Sequence, residues 1–152
     1  MGIKLQRTFR AIAEQPPEPR LDRVLVDFSA SSNSEVRKEF ISANSNNKFV
    51  DVLTSRVPQP ELWKMYRRYR WVVSMPGNGL DSHRSWEAVY QGAKVLVPEY
   101  LFPDLRDQEF FVRINPYEPI GRDALNVGNK KIVCPKNIAN GLKKRFIDPL
   151  CK

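Results

Sequence analysis

The chain has 152 residues, of which 41% are hydrophobic and 11% aromatic, so it can bury the core of one domain and is not a disordered chain. It has no apolar run of about 18 residues, and we therefore expect no transmembrane segment. Its formal net charge of +8 favours an anionic partner, such as nucleic acid, an anionic membrane surface or a phosphorylated ligand, without choosing among these.

Residues 1–20 are interpreted as an N-terminal arm in front of a domain that spans residues 21–152. The arm carries four basic residues and ends in QPPEPR, whose prolines disfavour regular structure. A helix between Ile3 and Glu14 is compatible with its first part. The arm lacks the apolar core of a secretory signal peptide, so we expect no secretory signal and leave the location as cytoplasmic or unknown.

The two cysteines, Cys134 and Cys151, form no CxxC pair. With one histidine in the chain, a Cys/His zinc site cannot be assembled. We therefore interpret both cysteines as free thiols in a reducing compartment and expect no metal.

After the arm, strand-like apolar runs alternate with helix-like stretches. In chain order the sequence predicts a strand at 23–28, a helix at 34–43, a strand at 48–53, a helix at 58–69, a strand at 70–74, a helix at 82–92 and a strand at 94–97. The pattern then weakens, with a fifth strand predicted at 109–114 and a closing helix at 135–150. Strands joined by crossover helices predict the α/β class, with a Rossmann-like parallel sheet and helices on both faces.

Two loops of this predicted sheet are candidates for a binding site. In open parallel sheets, ligands bind beyond the carboxyl ends of the strands. The loops at those ends are SASSN, after the first strand, and SMPGNGLDSHR, after the third strand. We therefore searched both for groups that can bind an anion.

The helix that follows the second loop is amphipathic. A rotation of about 100° per residue separates a packing side, with Trp86 and Val89, from a polar side on the opposite face. The polar side consists of His83, Arg84, Glu87 and Gln91. Trp86 is therefore expected in the core.

The start of this helix combines three features that suit a nucleoside diphosphate. A helix N-terminus offers unpaired N–H groups and partial positive charge, and Gly77 and Gly79 allow a close backbone approach. Arg84 can bond two phosphate oxygens, and Glu87 can accept hydrogen bonds from a ribose diol. The P-loop and GxGxxG motifs are both absent from the sequence.

Residues 72–98, VVSMPGNGLDSHRSWEAVYQGAKVLVP, resemble the signature of exostosin-like glycosyltransferases and related GT-B enzymes. In that family a loop of the form SPPGNGLDCHRTWEAL, then a glycine and an apolar strand, lies in the donor-binding domain. The segments VLVDFSASSNSEVRKEF and PELWKMYRRYRWVVS fit the family more loosely. The resemblance covers roughly residues 22–100 and is specific in residues 74–92.

The resemblance implies a fold like a single GT-B half-domain and a nucleotide-diphosphate sugar as the donor substrate. It implies that Arg84 contacts the diphosphate and Glu87 the nucleoside sugar. The other implied donor-binding residues are His83, Gly77, Asn78, Gly79 and Ser82. It identifies no catalytic residue in this chain and requires no metal or other cofactor.

A GT-B enzyme has two such halves, and this chain has room for the donor-binding half alone. The resemblance therefore predicts a glycosyltransferase donor domain that transfers a sugar to a hydroxyl acceptor with the help of an acceptor-binding domain or partner chain. The alternatives are a non-catalytic nucleotide-binding remnant and a basic nucleic-acid-binding protein. The nucleic-acid-binding alternative is supported by charge alone.

Simpler interpretations apply to several of these residues. Arg84 and Glu87 could form only a surface ion pair. Lys94, a departure from the family pattern, could add charge near the phosphates or be solvated. The cluster KMYRRYR at 64–70 could bind nucleic acid, but helical spacing assigns its Met65 and two tyrosines to the core and its cations to the surface.

Overall fold

A computed structural model describes residues 2–28, 34–76, 83–100, 109–122 and 125, and its centre is a five-stranded parallel sheet with helices on both faces. The helices are α1 (Ile3–Ala13), α2 (Glu35–Ala43), α3 (Gln59–Arg68) and α4 (His83–Tyr90). The strands are β1 (Leu21–Val26), β2 (Val50–Val52), β3 (Tyr69–Val73), β4 (Lys94–Pro98) and β5 (Phe111–Ile114). The predicted α/β class with a Rossmann-like parallel sheet is confirmed.

The strand order is β2-β1-β3-β4-β5, and every neighbouring pair is parallel. One row of register partners crosses four strands through Leu25, Val72, Val95 and Phe111. The chain moves from β1 outward to β2 and then returns to place β3 on the other side of β1. In sheets of this order, the reversal leaves a crevice at the carboxyl ends of β1 and β3.

Three helices cover one face of the sheet. Phe9 of α1, Trp63 of α3 and Trp86 of α4 are buried there together with Val72 and Val95. The ring of Phe9 contacts that of Trp63 edge-on, with 4.8 Å between centroids. This aromatic contact joins α1 to α3 over the sheet.

Helix α2 covers the opposite face. Its Phe40 is fully buried against Phe28, with 6.1 Å between the ring centroids, and belongs to a cluster with Val26 and Val73. Residues Ile120 and Leu125, beyond β5, are buried in the same cluster. Apolar side chains from alternating strand positions therefore fill both faces, as expected for a central parallel sheet.

The segment interpreted as an arm is packed against the rest of the domain. The helix anticipated between Ile3 and Glu14 is α1, and its Phe9 and Ile12 are buried. The guanidinium of Arg67 donates to the carbonyl oxygens of Ala13, Gln15 and Pro16 at 2.7–2.9 Å. These bonds hold the proline-rich stretch after α1 against α3.

The predicted order of strands and helices between residues 23 and 114 agrees with the structure, and the differences lie at boundaries. Strand β2 has three residues rather than six, and Tyr69, assigned to a helix, begins β3. The predicted closing helix at 135–150, Cys134 and Cys151 lie outside the described residues. Within the described ranges, no helix has both the length and the apolar character needed to cross a membrane.

Candidate functional site

The two loops selected from the sequence start from neighbouring strands, because β1 and β3 are adjacent. Described residues at their ends are joined directly. The Ser34 hydroxyl donates to the carbonyl oxygen of Pro76 at 2.8 Å, and the Arg37 guanidinium donates to that of Met75 at 3.1 and 3.3 Å. The start of α2 is therefore fixed to the segment that follows β3.

A cavity of about 680 Å³ opens at this edge of the sheet. Asp27, which follows β1, and residues 53–59, which follow β2 and enter α3, form part of its wall. Arg84 and Glu87 of α4 form another part. A volume of this size is in the range of small-ligand sites, about 300–1,000 Å³. Two predicted donor-binding residues therefore line one ligand-sized cavity.

Helix α4 is held at the cavity by polar contacts as well as by Trp86. The hydroxyl oxygens of Ser85 and Ser74 are 2.5 Å apart and buried, which ties α4 to the end of β3. The first turn of α4 therefore starts at the carboxyl edge, and Trp86 reaches the aromatic rings of Phe110 and Phe111. The expectation that Trp86 belongs to the core is confirmed.

The expectation that the polar side of α4 is turned away from the packing is wrong. Glu87 and Gln91 are only 5% and 2% exposed. The Gln91 amide donates to the carbonyl oxygen of Phe9 at 3.1 Å, so α1 covers that end of the helix. Because Glu87 is buried, a surface ion pair with Arg84 does not describe this site.

Glu87 is held by two donors from α3. Its Oε2 accepts a hydrogen bond from the indole N–H of Trp63 at 3.0 Å, and its Oε1 accepts one from the Gln59 amide at 3.3 Å. A carboxylate has about four acceptor positions on its two oxygens, and these two bonds engage both oxygens. The two contacts fix the direction in which this carboxylate faces the cavity.

Asp27 is a second carboxylate at the cavity, and its side chain is 0% exposed. The Tyr66 hydroxyl donates to its Oδ2 at 2.5 Å, and the Nε of Arg84 lies 3.6 Å from the same oxygen. Burial raises the pKa of Asp27 above its ordinary 3.8, against the opposing effects of Arg84, the Tyr66 hydrogen bond, a backbone hydrogen bond at Asp27 itself and Arg37. Burial and the Asp27 charge together raise the pKa of Tyr66 well above 10.0.

Two cations, Arg56 and Arg84, line this cavity, and Arg84 is the one beside Asp27. The Arg84 side chain is 38% exposed, so it is accessible from the cavity while it remains close to Asp27. A guanidinium carries five N–H donors in a planar fork, whose geometry matches carboxylates and phosphates. This arrangement suits a cation that binds a phosphate.

The structure describes the side chains of only some of the predicted site residues. Arg84 and Glu87 are brought together at the cavity. His83 is the first residue of α4, and its side chain lies outside the described part of the structure. The other predicted donor-binding residues, Gly77, Asn78, Gly79 and Ser82, also lie outside the described residues.

Several residues of the site, among them Arg56, were missed by sequence reasoning. Asp27, Gln59 and Trp63 all contact the predicted residues or the cavity. A signal existed for Asp27 alone, since it is a charged residue at the carboxyl end of an apolar strand and directly precedes a loop selected as a candidate. Nothing local distinguishes Trp63 from an ordinary core residue.

Lys94 is far from this site along its strand. It begins β4 and pairs in register with Trp71, near the amino edge of the sheet, whereas the cavity is at the carboxyl edge. It is 8% exposed, and its burial lowers its pKa below 10.5. Both interpretations of Lys94, as a phosphate contact and as a solvated residue, are therefore wrong.

The fold and the site define a Rossmann-like α/β domain with a mixed-charge cavity at its switch point. Comparison of the sequence with models of known protein families and with curated proteins gives no match. Among the described residues, no group of three or more His, Cys, Asp or Glu side chains is placed to hold a metal ion.

Proposed function

We propose that this chain is the donor-binding domain of a glycosyltransferase and that its cavity binds a nucleotide-diphosphate sugar. The observation that carries the proposal is that Arg84 and Glu87 line one cavity at the carboxyl edge of the sheet. The resemblance of residues 74–92 to exostosin-like GT-B enzymes supports the same ligand. Transfer of the sugar to a hydroxyl acceptor would need an acceptor-binding domain or a partner chain.

Each proposed contact has a physical basis at this cavity. Arg84 binds the diphosphate, because a partly exposed guanidinium forms charge-assisted hydrogen bonds with phosphate oxygens. Glu87 accepts the ribose hydroxyl groups, because Trp63 and Gln59 hold its carboxylate in place before the ligand arrives. The nucleoside occupies the part of the cavity near Leu53 and Leu62, which supply apolar surface.

Calorimetric titration of the purified chain with UDP and with GDP tests the donor site. We expect binding of at least one nucleotide, and Arg84→Ala should weaken it by about 10-fold to 100-fold, the value of a hydrogen bond to a charged group. Arg70→Ala is a matched control, since Arg70 has a similar exposure of 44% and lies 3.5 Å from Asp22. The nucleotide affinity of the Arg70→Ala variant should equal that of the unmodified chain. Absence of nucleotide binding, or equal affinity in the Arg84 variant, contradicts the donor site.

The non-catalytic alternative predicts nucleotide binding without turnover. Release of the nucleoside diphosphate from a UDP-sugar or a GDP-sugar by this chain, with or without a hydroxyl acceptor, would exclude the non-catalytic alternative. The nucleic-acid alternative predicts binding to RNA or DNA that weakens steeply with salt. Equal, negligible binding at low and high salt eliminates it.

A further inference from the structure

The buried carboxylate of Asp27 has an arrangement that nucleotide binding alone does not explain. Its side chain is fully enclosed, and its Oδ2 carries both the Tyr66 hydrogen bond and the 3.6 Å approach to Arg84. Its Oδ1 has no hydrogen-bond partner within the described part of the chain. A buried carboxylate oxygen without a donor is costly while it is charged, and protonation removes much of that cost.

Charged and titratable groups reach Asp27 from three helices. Arg37 comes from α2, Tyr66 from α3 and Arg84 from α4, and Arg84 has the largest opposing effect on the pKa of Asp27. The guanidinium of Arg37 already donates to the carbonyl oxygen of Met75. Glu87 adds a second carboxylate to the wall of the same cavity. The ionised form of Asp27 therefore depends mainly on Arg84.

An anionic phosphate at Arg84 competes with Asp27 for the same cation. It also brings further negative charge close to an enclosed carboxylate, and like charges at short range favour protonation of one group. Removing one partner of a buried ion pair leaves an uncompensated charge, which is strongly unfavourable. Protonation of Asp27 relieves both effects without breaking the Tyr66 hydrogen bond.

From this geometry we infer that Asp27 is a positioning residue of the anion site, which holds Arg84 at the cavity and takes up one proton when a phosphate binds to Arg84. The inference rests on the proposed function, because it assumes that Arg84 binds phosphate. The proton comes from solvent and resides on Oδ1, which converts the carboxylate into a neutral acid, and no other bond is made or broken. Burial has already raised the pKa of Asp27, and the charge of a bound phosphate acts in the same direction.

Calorimetric titration with UDP in buffers of different ionisation enthalpy, at one pH, measures the protons taken up on binding. Asp27→Asn is the decisive variant, because asparagine has the size of the neutral acid and cannot titrate. UDP titrates identically in both experiments, so its own protons cancel. We expect the unmodified chain to take up as much as one proton more than Asp27→Asn at pH values between the pKa of Asp27 in the free chain and its higher pKa in the complex.

Affinity provides a second readout. Because each pH unit between the pKa of Asp27 in the free chain and its higher pKa in the complex costs about tenfold in affinity, Asp27→Asn should bind UDP more tightly than the unmodified chain above the free-chain pKa. The two affinities should converge at acidic pH. A role for Asp27 that is merely structural predicts weaker binding by the variant at every pH.

Two further variants make the test independent of how Asp27→Asn folds. Tyr66→Phe removes the donor to Oδ2 and should shift proton uptake to higher pH, since the charged carboxylate loses a hydrogen bond. Asp22→Asn is the matched control, because Asp22 lies 3.5 Å from Arg70 but is exposed. Its proton uptake should equal that of the unmodified chain.

The outcomes separate the two proposals. Equal proton uptake in the unmodified chain and Asp27→Asn, or an unshifted profile in Tyr66→Phe, overturns the role of Asp27 while nucleotide binding stands. If neither UDP nor GDP binds, inorganic pyrophosphate is the next probe. Pyrophosphate binding with Asp27-dependent uptake supports the anion site and overturns only the nucleotide assignment, whereas no binding overturns both.

Discussion

The two edges of the sheet use arginine in different ways. At the amino edge, Arg20 donates to the carbonyl oxygens of Tyr66, Tyr69 and Gln91 at 2.6–2.9 Å. At the carboxyl edge, Arg84 lies 3.6 Å from a buried carboxylate, on the wall of a cavity. The Arg20 guanidinium is bound to backbone carbonyl oxygens, whose charge is fixed. The Arg84 guanidinium lies beside the Asp27 carboxylate, which can be protonated.

This difference gives a physical criterion for separating structural from functional arginines. A bound ligand does not displace backbone carbonyls, so the hydrogen bonds of Arg20 and Arg67 to carbonyl oxygens are structural links between chain segments. Burial, with the nearby charges of Arg67 and Arg70, lowers the pKa of Arg20 to about 10, which still leaves it charged at neutral pH. Under the proposed function, Arg84 would exchange a carboxylate for a phosphate, since both are anions.

The largest expected effect is at the amino edge. Arg20→Ala removes three hydrogen bonds to carbonyl oxygens and leaves a gap among α3, β3 and the turn after α4. We expect the free energy of unfolding to fall by about 2–4 kcal/mol, as measured by urea denaturation. Nucleotide affinity of the folded fraction should remain unchanged. A loss below about 1 kcal/mol would show that these carbonyls are equally well bound by water.

Gly92 provides a second test of the same edge. Its φ of +89° is unfavourable for other residues, and an added Cβ would lie 2.5 Å from Nη2 of Arg20. Gly92→Ala should therefore cost about 1–3 kcal/mol in urea denaturation. In an Arg20→Ala background the steric part disappears, and the cost should fall to about 1 kcal/mol. Additive costs would contradict the close contact.

The pH dependence of stability should have opposite signs at Asp27 and Asp51. Burial raises the pKa of Asp27, so the unmodified chain loses stability relative to Asp27→Asn as pH rises through that pKa. Hydrogen bonds from Arg23 and Tyr69 lower the pKa of Asp51, so its stabilising effect is present above 3.8 and is lost as pH falls.

Urea denaturation of Asp27→Asn and Asp51→Asn between pH 3 and about pH 8 tests these signs. We expect the difference in the free energy of unfolding between Asp27→Asn and the unmodified chain to increase as pH rises. The corresponding difference should change by about 1 kcal/mol or less for the partly exposed Asp51. If the two stability differences changed with pH in the same direction, the predicted electrostatic contrast between buried Asp27 and partly exposed Asp51 would be wrong.

The smallest effect is expected at Arg70. Its side chain is 44% exposed, lies 3.5 Å from Asp22 and lies over the ring of Trp71 at 5.8 Å. An exposed ion pair of this kind contributes little, so Arg70→Ala should change the free energy of unfolding by about 0.5 kcal/mol or less. A loss as large as that of Arg20→Ala would contradict the distinction between carbonyl-bound and carboxylate-paired arginines.

Local sequence was sufficient to predict the strands and helices, but it was insufficient to predict which residues surround α4. Periodicity correctly assigned Trp86 to the core, because a residue of that size on an amphipathic helix is buried against some neighbour. It failed for Glu87 and Gln91, because a polar side faces water only if no other helix covers it. Here α3 and α1 cover it, and those contacts join residues 24 and 82 positions apart.

The strand and helix order, and the choice of two loops as ligand-binding candidates, followed from apolar periodicity and from glycine and proline positions, which act over a few residues. The site itself depended on strand order, because the adjacency of β1 and β3 brings the end of one strand to the loop of another. Asp27 and Tyr66 are 39 positions apart in sequence and meet at 2.5 Å, beside Arg84. Burial of a carboxylate is a property of everything packed around it, and no local pattern in the chain encodes it.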